Sequence, residues 1–109
     1  KDKFEALRRE NRFVYLAAGA QKSRKLSIDG CEANGVLDPL DFLFDVKENH
    51  LVNLGNRVAI IGGGNTAMDA ARTAYRLIED DGKGVILYRR SLLDMPADQG
   101  EIAAVLEEG

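Results

Sequence analysis

Arg57-Val58-Ala59-Ile60-Ile61-Gly62-Gly63-Gly64-Asn65-Thr66-Ala67-Met68 decides the fold of this 109-residue chain. Its first five residues are rich in β-branched side chains and read as a strand. Three glycines follow at once. A helix is then predicted over residues 65–79, with Ala67, Met68, Ala71, Ala74, Tyr75 and Ile78 at the three-and-four spacing of one buried face. Gly82 is expected to end it. Val85-Ile86-Leu87-Tyr88 reads as the next buried strand. Strand, glycine turn, helix and strand make one βαβ unit, which demands a parallel sheet and a right-handed crossover. The expected class is α/β: a Rossmann-like βαβ unit in a three-layer parallel sheet, part of a dinucleotide-binding domain.

The glycine stretch fits G-x-G-x-x-A over Gly62, Gly63, Gly64, Asn65, Thr66 and Ala67. Each small residue has a mechanical reason. Gly62 permits the tight turn out of the strand. Gly64 lets a pyrophosphate approach the backbone without a Cβ in the way. Ala67 lets the helix pack close to the strand. The helix N-terminus then turns free N–H groups and the positive end of its dipole toward the phosphates. Asn65 or Thr66 adds a side-chain donor in this scheme. The competing explanation is a glycine turn with no ligand, and the strand-turn-helix context disfavours it.

The carboxyl end of the second strand bears on the nucleotide. NAD sites commonly place an acidic residue ~20 positions past the motif, on the ribose 2′-hydroxyl. Arg89 stands 22 positions after Ala67, followed by Arg90 and Ser91, and no carboxylate is there. Two guanidiniums and a hydroxyl suit a 2′-phosphate, because arginine grips phosphate in a bidentate fork. The pattern favours NADPH over NADH. It also argues against a methyltransferase, whose ribose diol is usually held by an acid at this place.

Outward from this unit, residues 4–12 read as a short polar helix with Phe4 and Leu7 inward. Phe13-Val14-Tyr15-Leu16-Ala17-Ala18 is a continuous apolar run ending in Gly19, as expected of a strand buried on both faces. Asp29-Gly30 and Asn34-Gly35 are turn dipeptides. Asp38 and Pro39 suit the N-cap and first position of a helix carrying Leu40, Leu43, Phe44 and Lys47 on one face, flanked by Val46. Met95-Pro96 is a turn. Asp98 with Glu101 resembles a capping box and opens a last amphipathic helix with Ile102, Val105 and Leu106.

Length and composition narrow the function classes. A chain of 109 residues has room for one domain of the usual size. Its 45% hydrophobic residues support a packed core. Eighteen acidic against fifteen basic residues give a net charge of −3, a poor match to a nucleic-acid backbone. A single cysteine, Cys31, excludes an internal disulfide or a cysteine-only cluster. No apolar run nears the ~20 residues that span a bilayer, and the start lacks a signal peptide's apolar core. A soluble cytoplasmic protein is expected, with no nucleic acid and no membrane as partner.

Val58 through Arg72, with Tyr88-Arg89-Arg90-Ser91 and Met95-Pro96-Ala97, resembles the NADPH-binding region of the glutamate synthase small (beta) subunit and its relatives, among them the flavin part of dihydropyrimidine dehydrogenase. Residues 13–20 look like the strand that ends in a Gly-Ala pair near the flavin. Residues 34–37 and 40–43 look like the segment leading into the NADPH domain. The resemblance covers nearly the whole chain. It implies that NADPH passes a hydride to FAD and that electrons continue through iron–sulfur clusters to a partner. Gly62, Gly64, Asn65 and Thr66 would then hold the pyrophosphate, and Arg89 and Arg90, with Ser91 beside them, the 2′-phosphate. Gly19 and Ala20 would lie near FAD. No catalytic side chain and no metal ligand are expected.

The resemblance also divides the chain. Residues 1–35 are expected to be the tail of an FAD-domain-like segment, and residues 36–109 an NADPH-binding Rossmann-like domain incomplete at its C-terminus. The family's FAD glycine loop and its cluster-binding cysteines are not in this sequence. The chain is therefore expected to be a piece of a larger flavoprotein and inactive alone. Its partners would be the remainder of that protein and an iron–sulfur or large catalytic subunit, with exposed sheet edges leaving homo-oligomerisation open. The alternative is a module that senses NADP(H) or serves assembly without turnover. Of the other chemical residues, Cys31 and His50 read as incidental surface groups, His50 having no partner at metal-ligand spacing. Asp69 and Arg72, three apart on the glycine helix, either pair with each other or anchor the loop backbone.

Overall fold

The computed structural model describes residues 2–19, 22–23 and 25–108. Its elements are α1 (Asp2–Glu10), α2 (Pro39–Lys47), β1 (Arg57–Ile61), α3 (Asn65–Tyr75), β2 (Lys83–Leu87), a 3-10 turn (Leu92–Asp94) and α4 (Gln99–Glu108). β1 and β2 pair in parallel, from Arg57 opposite Lys83 to Ile61 opposite Leu87. The expected α/β class and the βαβ order are both present. The second strand begins two residues earlier than its apolar run, at Lys83, because pairing with β1 extends it.

The core lies on one face of this two-stranded sheet. Side chains alternate across a strand, so Val58, Ile60 and Ile86 turn toward α3 while Ala59, Ile61, Val85 and Leu87 turn away. Ile61, Val85 and Leu87 remain about half exposed. Among the described residues the sheet thus has helices on one face, which is two of the three layers expected. α3 is the hub. Ala70 and Ala74 pack with Phe42 of α2, while Met68 packs with Ala97 and with Ile102 of α4. Small alanines bring the α2 backbone close, and the longer Met68 fills the gap toward α4.

Several local expectations are corrected. The helix after the glycines ends at Tyr75, with Arg76 and Leu77 in a closing turn. Ala70 is buried and Tyr75 is not, because α3 is covered on two sides and its buried arc is wider than one stripe. In α2 the buried residue is Phe42, and Phe44 faces outward. Asp38 does cap α2, accepting from the N–H groups of Leu40 and Asp41. Its carboxyl is held below the usual carboxylate range, chiefly by a hydrogen bond from the Ser23 hydroxyl. Leu106 of α4 is exposed.

The largest correction concerns residues 13–18. No strand forms there. Phe13, Tyr15 and Leu16 are 83%, 93% and 70% exposed. An extended apolar run becomes a buried strand only beside another strand, and among the described residues β1 and β2 pair only with each other. α1 likewise has no buried residue, so Phe4 and Leu7 are not inward.

Candidate functional site

The glycine loop leaves β1 by continuing the ladder for one bond, the Gly62 N–H donating to the Leu87 carbonyl at 3.0 Å. Gly62 has φ +146°, and a Cβ there would lie 3.3 Å from the Ala67 Cβ. Strand end and helix start are therefore in the close approach that the small residues at both positions permit. Gly63 is buried. A Cβ on it would lie 2.8 Å from the Tyr88 ring and 3.1 Å from Met95 Cγ. Gly64 is the N-cap of α3, and a Cβ on it would meet nothing within 4 Å. One side of the loop is thus sealed by protein and the other is open.

That open side carries the N-terminus of an eleven-residue helix. No side chain caps it, and its first turn holds no acidic residue. Uncapped N–H groups and the positive helix end favour an anion here. Thr66 is exposed on this first turn. Asn65 is exposed too, but its Oδ1 accepts from the Asp98 N–H at 2.8 Å. Its side chain therefore ties the loop to the segment before α4, a contact that the spacing of the motif does not announce.

The arginines follow β2. Because the strands are parallel and Ile61 is opposite Leu87, the glycine loop and the Arg89 turn leave the same end of the sheet. Both guanidiniums are exposed, and neither forms an ion pair among the described residues. Arg90 stands over the Tyr88 ring, 5.7 Å from its centroid. The Ser91 hydroxyl and N–H both donate to Asp94 Oδ2, at 2.6 and 3.3 Å. Tyr88 donates its hydroxyl to the Asp94 carbonyl at 2.9 Å. Ser91 and Asp94 thus close the turn on itself. The Ser-x-x-Asp spacing is the sequence signal for this closure.

The remaining candidates are dispersed. Gly19, with φ +66°, lies in the exposed segment. Ala20 lies outside the described residues. Cys31 is a free thiol. His50 does have an acidic partner, Asp45 Oδ1 at 2.9 Å from Nδ1, because the turn after α2 brings position i+5 back to its last turn. Arg72 pairs with neither Asp69 nor the loop. Its guanidinium donates to Glu108 Oε1 at 2.7 and 2.9 Å and to Glu101 Oε2 at 3.3 Å, and Arg76 donates to the same Glu108 oxygen at 2.8 Å. Those bonds hold the Glu108 carboxyl below, and the Arg72 guanidinium above, its ordinary range, each chiefly through the hydrogen bond to the other. Glu101 is thereby drawn to Arg72 rather than into a capping box. Among the described residues no group of three or more His, Cys, Asp or Glu is placed to hold a metal ion, and no helix is long and apolar enough to cross a membrane.

The profile of a family described as pyridine nucleotide-disulphide oxidoreductase matches residues 10–108. The beta subunit of the NADPH-Fe(3+) oxidoreductase of Geobacter sulfurreducens is 38% identical, over 100% of this chain and 15% of its own length. The glutamate synthase [NADPH] small chain of Azospirillum brasilense is 36% identical, over 94% of this chain and 23% of its own. The beta subunit of the NADP(+)-dependent formate dehydrogenase of Moorella thermoacetica is 33% identical, over 96% of this chain and 15% of its own. The chain therefore spans about a quarter or less of the relatives it matches.

Proposed function

We propose that this chain, which belongs to the pyridine nucleotide-disulphide oxidoreductase family, supplies the NADP(H)-binding segment of a flavin-dependent oxidoreductase of the glutamate synthase small-subunit type. The observation that carries the reading is the juxtaposition at one end of the sheet. An uncapped helix N-terminus with open space over Gly64 lies at the same end of the sheet as two arginines that form no ion pair among the described residues. This donor set fits a dinucleotide with a 2′-phosphate. The loop from Gly62 to Ala67 would take the pyrophosphate on backbone N–H groups, with Thr66 at its edge. Arg89 and Arg90 would take the 2′-phosphate, with Ser91 holding their turn through Asp94.

In this proposal the bound NADPH would supply a hydride to FAD of the parent protein, whose electrons would leave through iron–sulfur clusters or a partner subunit. The chain itself binds and orients. Residues 1–35 would complete a flavin domain, with Gly19 and Ala20 near FAD, and residues 36–109 would form the NADPH domain. The relatives' names, a small chain and two beta subunits, support a multi-subunit setting.

The test is titration of the full-length protein with NADPH and NADH, before and after Arg89→Ala. Losing one charge-assisted fork should weaken NADPH by roughly 10- to 100-fold and leave NADH nearly unchanged. Equal loss for both nucleotides would sink the arginine assignment. Failure of the unmutated protein to bind either would sink the function.

A further inference from the structure

We infer that the segment from Met95 to Asp98 is a brace that sets the shape of the glycine loop, and that the Asn65 side chain positions the nucleotide site rather than contacting the ligand. The inference rests on the nucleotide site proposed above and concerns what holds it in shape. The Ala97 N–H donates to the Gly63 carbonyl at 3.0 Å. The next amide, that of Asp98, donates to Asn65 Oδ1 at 2.8 Å. Consecutive amides of one segment thus grip both sides of Gly64.

The consequence follows from peptide geometry. No peptide bond among the described residues is cis, and a trans peptide points its C=O and N–H in opposite directions. With the Gly63 carbonyl turned toward Ala97, the Gly64 N–H turns away from that segment. The Gly64 carbonyl accepts from the N–H groups of Ala67 and Met68, at 2.8 and 3.2 Å. By the same geometry the Asn65 N–H turns back from the helix body. The brace therefore orients the Gly64 N–H, and the first turn of α3 orients the Asn65 N–H, before any anion arrives. Donors fixed in advance bind without the cost of ordering them.

Packing reinforces these bonds. Tyr88 and Met95 leave no room for a side chain at Gly63. Ala97 is buried with Met68 and Ile102, which fastens the brace to α3 and α4. A glycine loop that closed on itself would need none of this; here the loop borrows its shape from a segment some thirty residues later in the chain.

A double-mutant cycle in the full-length protein tests the inference, with Kd for NADPH and NADH as readout and thermal unfolding as the check on folding. Asn65→Ala removes the acceptor and Asp98→Pro removes the N–H donor. Each should weaken both nucleotides alike, by about tenfold, because the pyrophosphate is common to them. The double variant should be no weaker than either single one. Additive losses, a loss confined to NADPH, or no loss would overturn the brace and leave the nucleotide site standing. Absence of nucleotide binding by the unmutated protein would overturn both. If Asp98→Pro does not fold, hydrogen exchange at the Asp98 amide decides. Slow exchange in the unmutated protein and fast exchange in Asn65→Ala is the expected result, and equal rates would overturn it.

Discussion

Residues 13–18 and β1 are both short apolar runs that end in a glycine. Their fates differ. β1 pairs along its whole length with β2 and lies against α3. The earlier run forms no strand and leaves Phe13, Tyr15 and Leu16 in solvent. Apolar content and β propensity do not separate them. What separates them is the neighbour: β1 is followed, after one helix, by a second strand that returns beside it, and residues 13–18 are followed by turns and α2. Strand propensity becomes a strand only where topology brings a partner.

Substitutions can break or sharpen this contrast. The largest effect is expected in the packed region. Met68 is 1% exposed between α3 and α4, so Met68→Ala should cost about 2–5 kcal/mol in chemical denaturation. A loss below ~1 kcal/mol would mean that α4 is not packed as described. Gly63→Ala comes next. Its Cβ would press on the Tyr88 ring and Met95, which predicts a destabilisation of about 1–3 kcal/mol. The companion change Tyr88→Ala should recover part of it, and no recovery would place the strain elsewhere.

A smaller, pH-dependent effect is expected at the ion cluster between α3 and α4. The Glu108 carboxyl is held below its ordinary range in the folded chain, chiefly by Arg72. Such a group stabilises the fold above its unfolded value of ~4.3 and loses that contribution as pH falls through the folded value. Thermal unfolding followed from pH 7 downward should therefore show a loss of stability below about pH 4 that Glu108→Gln diminishes. An unchanged profile in the variant would assign the acid sensitivity to other carboxylates. Asp38, also held low, is the nearest rival.

The smallest effect is expected in the exposed run. Tyr15→Ala should change the stability of this chain by no more than ~0.5 kcal/mol, as for exposed surface positions, and Phe13→Ala by no more than ~1 kcal/mol, since the Arg12 guanidinium stands 5.4 Å from its ring centroid. A larger cost would mean that these side chains are buried more than their exposure shows, and would erase the contrast with β1. In the full-length protein the proposed flavin domain predicts the opposite, a clear loss of stability from the same substitutions.

Much of the candidate site is legible in local sequence. The glycines and Ala67 announce a tight strand-to-helix turn because each requirement is steric and acts within a few residues. Arg89 and Arg90 announce themselves by their place after the second strand. The Ser91–Asp94 closure has a local sequence signal of its own, Ser-x-x-Asp. By contrast, the tie from Asn65 to Asp98 and the clamp of Arg72 on Glu108 span more than thirty residues. Periodicity cannot find such contacts, and the near pair Asp69 and Arg72 was a false lead because α4 offers Arg72 two carboxylates instead of one.

By itself, the sequence determined the βαβ order, the glycine turn and the charge at the end of the second strand, since these depend on steric and electrostatic demands within one supersecondary unit. Tertiary structure decided which apolar runs are buried, which face of α3 is wide, and what holds the glycine loop. Those outcomes depend on which distant segments come to lie against a given residue. The burial energy of a side chain is realised only when another surface covers it.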